Sequence, residues 1–388
     1  MLPVILLGGL NVVRALGLAG IPVVIATQNR RAPSTASRYC KGVLELPPLS
    51  ERDAVVETLV GAARALGGRA PLFYDNDDRL ALVQDLRAAL APHFALLLNE
   101  PALADALLEK SRFQALAERR GLPVPRRIEW PDLAAERGPV LVKPRTRTAW
   151  DNSRVRLQLF GGAGKARVFP DGAQARAHPL VAQLADRLQF QEYVPGGDEA
   201  IWSFHGFAAP GGEVLAWFVG RKIRTFPALT GDSSYLRLAH DERVAALGRE
   251  IAARLPLAGI FKMDFKRDAA SGRLVLLEIN TRFNLWHYLG AVNGVNLPAV
   301  AYQYLVHGKR PRHSTARLRY RWLAMREDWR AQREGQISLR RWLLSLAYVP
   351  KVYDVFAWSD PLPFVRHWAA RIRSALSRRM PRWLASAS

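Results

Sequence analysis

The chain has 388 residues, a formal net charge of +22 and one cysteine, Cys40. This length suits two or three domains of about 100–200 residues each. One cysteine excludes an internal disulfide and any multi-cysteine zinc or iron–sulfur site, and it favours a reducing cytosol. The charge implies partners that are negatively charged, such as nucleic acid, an anionic membrane surface or phosphorylated substrates.

The first hundred residues alternate between apolar runs and helical segments. Val4 to Leu7 is typical of a buried strand; it ends at Gly8-Gly9 and precedes a helix and a second strand. Polar residues interrupt this stretch, so we expect strand, turn and helix there and not a signal peptide or membrane span. The pattern predicts an open-sheet α/β domain over residues 1–100. A G-x-G-x-x-G turn is missing, so a nicotinamide cofactor is not expected.

The middle of the chain changes pattern. Residues 101–120 are predicted to form one helix, with Pro101 at its start and Gly121 just past its end. Strand-like runs then outnumber helices up to about residue 310, and this predicts an α+β domain over 101–310.

A predicted hairpin carries hard oxygen ligands. Asp264 and Glu278 lie on two apolar runs, separated by a turn at residues 268–272, and Asn280 follows Glu278 by two positions. Residues two apart in a strand face the same side. Two carboxylates and an amide oxygen could therefore hold Mg²⁺ against a triphosphate. The alternative is an ordinary solvated face of a hairpin.

Further charged motifs precede this hairpin in a fixed order. Lys110 begins a Lys-Ser-Arg-Phe stretch, and Lys143 closes a buried apolar run. Gly161-Gly162-Ala163-Gly164-Lys165 is a glycine-rich loop whose N–H groups can approach anionic oxygens. The remaining motifs are Glu192-Tyr193-Val194 with Glu199 seven positions after Glu192, the basic cluster Arg221-Lys222-Ile223-Arg224, and Arg282 after the hairpin.

In order and spacing these motifs resemble the ATP-grasp superfamily over residues 1–310, and within it the carboxylate-amine ligases and the D-aspartate ligase group. The resemblance implies ATP bound with Mg²⁺, or alternatively Mn²⁺, between a small lobe at about 122–192 and a large lobe at about 193–310. It implies that the α/β domain helps to bind substrate.

The resemblance also implies a role for each matching residue. Lys110, Lys143, Gly162 and Gly164 would contact phosphates, Glu192, Tyr193 and Val194 would read adenine, and Glu199 would accept from the ribose hydroxyls. The metal ligands would be Asp264, Glu278 and Asn280. Lys165, Lys222 and Arg282 would stabilise the charge of the transferring phosphoryl group, with Arg282 holding the substrate carboxylate. His287 is a candidate substrate contact, or it packs against Trp286 and Tyr288. A histidine-based zinc site is not expected.

The C-terminal part, residues 311–388, is the most basic region, with 16 Lys/Arg against 5 Asp/Glu. Apolar residues spaced by three and four, among them Val365, Trp368 and Ile372, predict an amphipathic helical tail with arginines on its other sides. Such a tail could bind an anionic membrane surface, the protein's own surface or a partner subunit. A homodimer is therefore one of the alternatives. Specific nucleic-acid binding is not expected, since no recognition motif is present.

These observations predict a cytoplasmic ATP-dependent ligase, held at the inner membrane face if the tail binds lipid. It would activate a small-molecule carboxylate as an acyl phosphate and couple it to an amine. The alternatives are an ATP-grasp kinase, a carbon–sulfur ligase, or a noncatalytic nucleotide-binding protein attached to the membrane surface.

Overall fold

A computed structural model of the protein describes residues 1–145, 153–161, 164–229, 231–347 and 349–379. Three sheets organise them: a parallel sheet at the N-terminus, a small antiparallel sheet and a larger mixed sheet. The α/β part followed by α+β lobes agrees with the predicted fold class. Across these residues, every helix is too short or too polar to cross a lipid bilayer.

The N-terminal sheet is parallel and has helices packed on it. Its strands are β1 (Val4–Leu7), β2 (Val23–Thr27), β3 (Cys40–Glu45), β4 (Ala70–Tyr74) and β5 (Phe94–Ala95). Its helices are α1 (Leu10–Leu18), α2 (Arg52–Ala65), α3 (Asp77–Asp85) and α4 (Arg87–Leu90). The strand order is β3-β2-β1-β4-β5. All four residues of β1 are buried, as expected for a parallel strand covered on both faces.

The helix predicted at residues 101–120 is broken into α5 (Pro101–Leu108) and α6 (Lys110–Arg119). Glu109 between them is extended, with φ −107° and ψ 125°. Its carboxylate accepts a hydrogen bond from Ser111 and pairs with Arg112 at 2.6 Å. A single helix was therefore a wrong prediction, because side chains of the next turn favour the break. As a result, Lys110 is the first residue of α6.

The small sheet is antiparallel. It contains β6 (Arg127–Ile128), β7 (Val140–Pro144), β8 (Arg167–Phe169) and β9 (Leu188–Glu192), in the order β6-β9-β7-β8. Helices α7 (Ser153–Phe160), α8 (Gly172–Ala177) and α9 (Pro179–Gln183) accompany it. Val140 and Val142 point into its core, so Leu141 and Lys143 face the other side.

The large sheet has the strand order β14-β13-β10-β11-β12-β15-β16. Its strands are β10 (Ile201–Ala208), β11 (Val214–Phe226), β12 (Asp232–Ala239), β13 (Gly259–Arg267), β14 (Leu274–Asn280), β15 (Arg321–Leu323) and β16 (Lys351–Tyr353). Helix α10 (Glu242–Arg254) packs on one face. Helices α11 (Trp286–Val292) and α12 (Leu297–His307) lie between this sheet and the N-terminal sheet, and they join both into one apolar core.

The C-terminal region was predicted to be a helical tail, and this holds only in part. It forms α13 (Met325–Arg333), α14 (Leu339–Ala347) and α15 (Leu362–Arg379), yet β15 and β16 extend the large sheet. Strand β15 pairs with the edge of β12, whose backbone groups would otherwise lack partners. The predicted amphipathic stripe also includes Met380 and Trp383, which lie outside the described residues.

Candidate active site

A cavity of about 670 Å³ lies between the lobes and reaches the N-terminal sheet. It is lined by residues from separate elements, with Lys110 at the start of α6, Lys143 on β7 and Lys222 on β11. Most of the side chains that the sequence singled out meet here, although they span more than 170 positions of the chain. The other predicted residues that line the cavity are Lys165, Glu192, Tyr193, Val194, Asp264, Glu278, Asn280 and Arg282.

The predicted hairpin is formed by β13 and β14. Asp264 is opposite Glu278, and Lys262 is opposite Asn280. On β13 the odd-numbered residues Phe261, Met263 and Phe265 are fully buried in the core beneath α10. Side chains alternate across a strand, so the even-numbered residues face the cavity. The alternation therefore sets both the core face and the site face of this strand.

Asp264 is the most strongly held carboxylate of the site. Lys262 Nζ lies 2.8 Å and Lys222 Nζ 3.7 Å from Asp264 Oδ2, and Ser203 donates to Asp264 Oδ1. Burial alone would raise the pKa of Asp264, but the two ammonium groups and these hydrogen bonds hold that pKa well below its usual range. Asp264 is therefore ionised throughout the physiological range.

Glu278 and Asn280 complete the oxygen set at the cavity wall. Lys262 Nζ lies 3.7 Å from Glu278 Oε1, and Asn280 Nδ2 donates to that oxygen at 2.9 Å. Among the described residues, no three His, Cys, Asp or Glu side chains are grouped to hold a metal. Two carboxylates and one amide oxygen nevertheless fit Mg²⁺, which retains waters and shares phosphate oxygens. The Lys262 ammonium between the carboxylates supplies positive charge at the same place.

Lys110 and Lys143 bring two positive charges to the cavity. Burial, with the Lys110 ammonium nearby, lowers the pKa of Lys143 to about 8. Lys110 is exposed as a residue, yet desolvation of its ammonium at the cavity wall also lowers its pKa. Both groups would be stabilised in their charged form by an anion, so the pair is suited to phosphate.

The glycine-rich loop and the basic cluster contribute unevenly. Lys165 forms an ion pair with Asp232, and both line the cavity. Gly162 lies outside the described residues, and Gly164 is not among those that line the cavity. In the cluster on β11, Lys222 faces the cavity, whereas Arg224 is buried and pairs with both oxygens of Asp328 at 2.8 Å. Arg224 therefore joins β11 to α13.

The segment predicted to read adenine lines the cavity, but several of its polar groups already have hydrogen-bond partners within the protein. The Tyr193 amide donates to Pro139 O at 3.0 Å, so a main-chain contact from Tyr193 would come from its carbonyl. Glu192 Oε1 accepts from the Arg126 amide at 3.1 Å and lies 3.6 Å from Arg273. Glu199 is not among the described cavity residues, and it pairs with Arg221 at 3.4 Å.

Arg282 connects the hairpin to the N-terminal sheet. Its guanidinium pairs with Asp77 and lies 3.5 Å from the Asp75 carbonyl oxygen. Burial alone would lower the pKa of Arg282, but its hydrogen bonds and proximity to Asp77 raise it. The following residue, Phe283, donates its amide to Tyr74 O at 3.1 Å. A permanently charged group is thus anchored at the end of the cavity nearest the α/β domain.

His287 behaves as a packing residue. It is fully buried, and its Nδ1 lies 2.9 Å from the Asn284 amide nitrogen. Burial lowers the pKa of His287 to about 3, so the ring is neutral. It contacts Phe283 and His205 edge to face, and neither histidine is among the described residues that line the cavity. The packing alternative is therefore the better one, with Phe283 and His205 as the ring contacts in place of the expected Trp286 and Tyr288.

Several cavity residues were missed by the sequence analysis. Lys262 and Lys266 share the face of Asp264, and Lys266 Nζ lies 4.3 Å from the centre of the Tyr193 ring. Period-two spacing from Asp264 was the signal that could have found them. Asp75 and Asp77, at the end of β4 and the start of α3, had no local signal, because only tertiary contact brings them to Arg282.

Comparison with known proteins agrees with this architecture. A family described as ATP-grasp in the biosynthetic pathway with Ter operon matches residues 209–326. A search of curated protein sequences finds no match. Three solved structures with similar folds are an L-amino acid ligase from Bacillus licheniformis, an N5-carboxyaminoimidazole synthetase from Staphylococcus aureus complexed with ADP, and a biotin carboxylase from Campylobacter jejuni.

All three similarities extend over most of both chains at low identity. The amino acid ligase is 13% identical with a TM-score of 0.55, covering 78% of this chain and 73% of that one. The synthetase is 13% identical with a TM-score of 0.56, covering 80% and 78%. The biotin carboxylase is 12% identical with a TM-score of 0.56, covering 82% and 74%. Residues 209–326 therefore match a model of an ATP-grasp family, and the fold of the chain is similar to that of these solved structures.

Proposed function

We propose that the protein is an ATP-dependent ligase that activates a carboxylate as an acyl phosphate and couples it to an amine. The observation that carries the proposal is the meeting of Lys110, Lys143 and Lys222 with the Asp264, Glu278 and Asn280 set and Arg282 around one cavity. Among the solved structures of similar fold, one is an L-amino acid ligase and another is a synthetase in complex with ADP.

In this proposal ATP lies between the small and large lobes. Leu141, Val168 and Val194 line the cavity and would contact adenine, while Lys110 and Lys143 would bind phosphate oxygens. Asp264, Glu278 and Asn280 would hold Mg²⁺, which neutralises phosphate charge when bound. Mn²⁺ accepts the same ligands.

Arg282 would hold the substrate carboxylate for the first step. A carboxylate oxygen attacks the γ-phosphorus, the bond to the β,γ-bridging oxygen breaks, and ADP leaves. Lys222 and Lys165 would stabilise charge on the moving phosphoryl group. In the second step the amine nitrogen attacks the acyl carbon, phosphate leaves, and the nitrogen loses its proton to phosphate or solvent. Lys165, Lys222 and Arg282 all line the cavity, which supports these roles.

ADP release tests the proposal directly. The protein would be incubated with ATP and Mg²⁺ across panels of carboxylates and amines, with hydroxylamine added to trap an acyl phosphate as a hydroxamate. The expected result is ADP and phosphate in equal amounts, dependent on one carboxylate and one amine. The Glu278→Gln variant should lose this activity by about 100-fold or more.

The same assay separates the neighbouring reactions. Phosphate release that requires a thiol in place of an amine would indicate a carbon–sulfur ligase. Transfer of phosphate to a stable product would indicate a kinase. Nucleotide binding without turnover on any panel would point to a noncatalytic nucleotide-binding protein. The expected location is the cytoplasm, where ATP is available and the single, half-buried Cys40 stays reduced.

A further inference from the structure

Helix α15 presents an apolar face to solvent, the reverse of an ordinary surface helix. Val365, Trp368 and Ile372 are 59%, 47% and 56% exposed. Their spacing of three and four places them on one side of the helix. Pro363, about half a turn from Val365, is buried, so the protein covers the opposite side at the first turn of the helix. The exposed side of this helix is therefore apolar.

Neighbouring aromatic residues extend this face. Trp358, just before the helix, is 89% exposed, and its ring meets Phe356 edge to face at 4.8 Å. Phe364 contacts both Phe356 and Trp368. We call the exposed side chains of Trp358, Leu362, Val365, Trp368 and Ile372 the apolar face. Tryptophan at such a position is typical of the level of lipid headgroups.

Positive charge surrounds the apolar face. By helical geometry, Arg366 and Arg373 lie on one side of it and Arg371 on the other. Pro361 to Ser388 contains six arginines and no acidic residue. Arg31 and Arg38, which are exposed on the adjoining N-terminal segment, add further charge. A purely apolar partner would leave these arginine charges unpaired at the contact.

The helix is held firmly to the rest of the protein. Asp360, two residues before the helix, is buried and accepts hydrogen bonds from Arg14 at 3.0 Å and from Ser37 at 2.8 Å. Arg366 donates to Thr35 at 2.6 Å. These contacts fix the side of α15 that faces the protein, so the apolar face is held outward by tertiary structure.

We propose that the apolar face docks the protein on an anionic phospholipid bilayer. Val365, Trp368 and Ile372 enter the boundary between headgroups and acyl chains, and the surrounding arginines bind lipid phosphates. Charge complementarity selects this partner, because anionic lipid offers apolar depth and negative charge together. The proposal does not depend on the catalytic one.

Flotation of the full-length protein with vesicles tests the proposal. Vesicles of phosphatidylcholine with phosphatidylglycerol are compared with pure phosphatidylcholine vesicles. The expected result is binding to the anionic vesicles that decreases with salt. The combined variant Val365→Ser, Trp368→Ser, Ile372→Ser should bind about 10-fold more weakly or worse. A matched control carries Leu18→Ser, Leu157→Ser and Leu318→Ser, which alter equally exposed residues elsewhere, and should bind like the wild type.

A second variant separates the two contributions. Arg371→Gln with Arg373→Gln should weaken binding and flatten its salt dependence. Three results would overturn the proposal: no flotation with anionic vesicles, a serine variant that floats like the wild type, or a wild-type dimer that the serine variant converts to a monomer without any vesicle binding. The second would show that vesicles attract the protein by charge alone, without the apolar face, and the third would point to another copy of the chain. Melting curves confirm that each variant is folded.

Discussion

The ammonium nitrogen of Lys262 lies 2.8 Å from Oδ2 of Asp264, two positions along the same strand. Lys262 is also 3.7 Å from Glu278. One lysine thus neutralises both carboxylates that we assign to metal binding. The contact supplies a positive charge to the buried carboxylate of Asp264 and to the exposed carboxylate of Glu278.

The first prediction concerns this lysine. Lys262→Met removes the nearest cation of a buried carboxylate, which typically costs about 3–5 kcal/mol of folding free energy. Mg²⁺ should restore much of the loss by replacing the missing charge. The measurement is the melting temperature with and without MgCl₂. Lys41→Met, at an exposed position, serves as the control. An equal loss with and without Mg²⁺ would show that the site does not bind the ion.

The second prediction concerns the contact between Arg282 and Asp77. Asp77→Asn keeps the side-chain shape but frees the guanidinium, so kcat/KM should fall by about 10–100-fold through lost orientation. Stability should change by about 1 kcal/mol or less, because the pair is partly exposed. The measurement combines steady-state kinetics and urea denaturation. Asp85→Asn, which alters an exposed ion pair with Arg52, should leave kinetics unchanged. Unchanged kinetics in Asp77→Asn would remove this positioning role.

The third prediction is a pH dependence of nucleotide binding. The pKa of Lys143 is lowered to about 8, and bound phosphate favours the protonated form. ADP affinity should therefore be constant below pH 8 and fall as the pH rises above it, by up to about tenfold per unit from this group.

Calorimetric titration with ADP between pH 7 and 10 measures this effect. Lys143→Arg keeps the charge and should flatten the curve, since arginine does not titrate in this range. Lys266→Arg is a necessary comparison, because the pKa of Lys266 is also lowered to about 8 by burial. A decline in Lys143→Arg as steep as in the wild type would assign the effect to another group.

The fourth prediction concerns the buried ion pair between Arg14 and Asp360, which connects α1 to the segment before α15. Arg14→Met should cost about 3–5 kcal/mol, since Asp360 would remain buried without its cation. Urea denaturation gives the free energy of unfolding. Arg52→Met breaks an exposed pair and should cost about 1 kcal/mol or less. Adding Asp360→Leu to Arg14→Met should recover part of the loss. If Arg14→Met and Arg52→Met lowered the free energy of unfolding by the same amount, the Arg14–Asp360 pair would not be an anchor of this segment.

Local pattern predicted the hairpin and the shared face of Glu278 and Asn280. Two apolar runs separated by a turn at residues 268–272 were enough for this, and the observed strands pair as expected. The same pattern failed at Glu109, where a side-chain contact with Ser111 and Arg112 breaks the helix. Helix propensity does not reveal the break, because only one residue, with neither glycine nor proline, separates the two helices.

By itself the sequence determined the superfamily resemblance, the order of charged motifs and the fold class, because these depend on local periodicity and residue type. Tertiary structure decided the ion pair between Arg14 and Asp360, the contact of Arg282 with Asp77, and the outward direction of Trp368. Such features join residues up to hundreds of positions apart or depend on which helix face is covered. The physical reason is that burial and pairing are properties of the packed chain and are not encoded in any short segment.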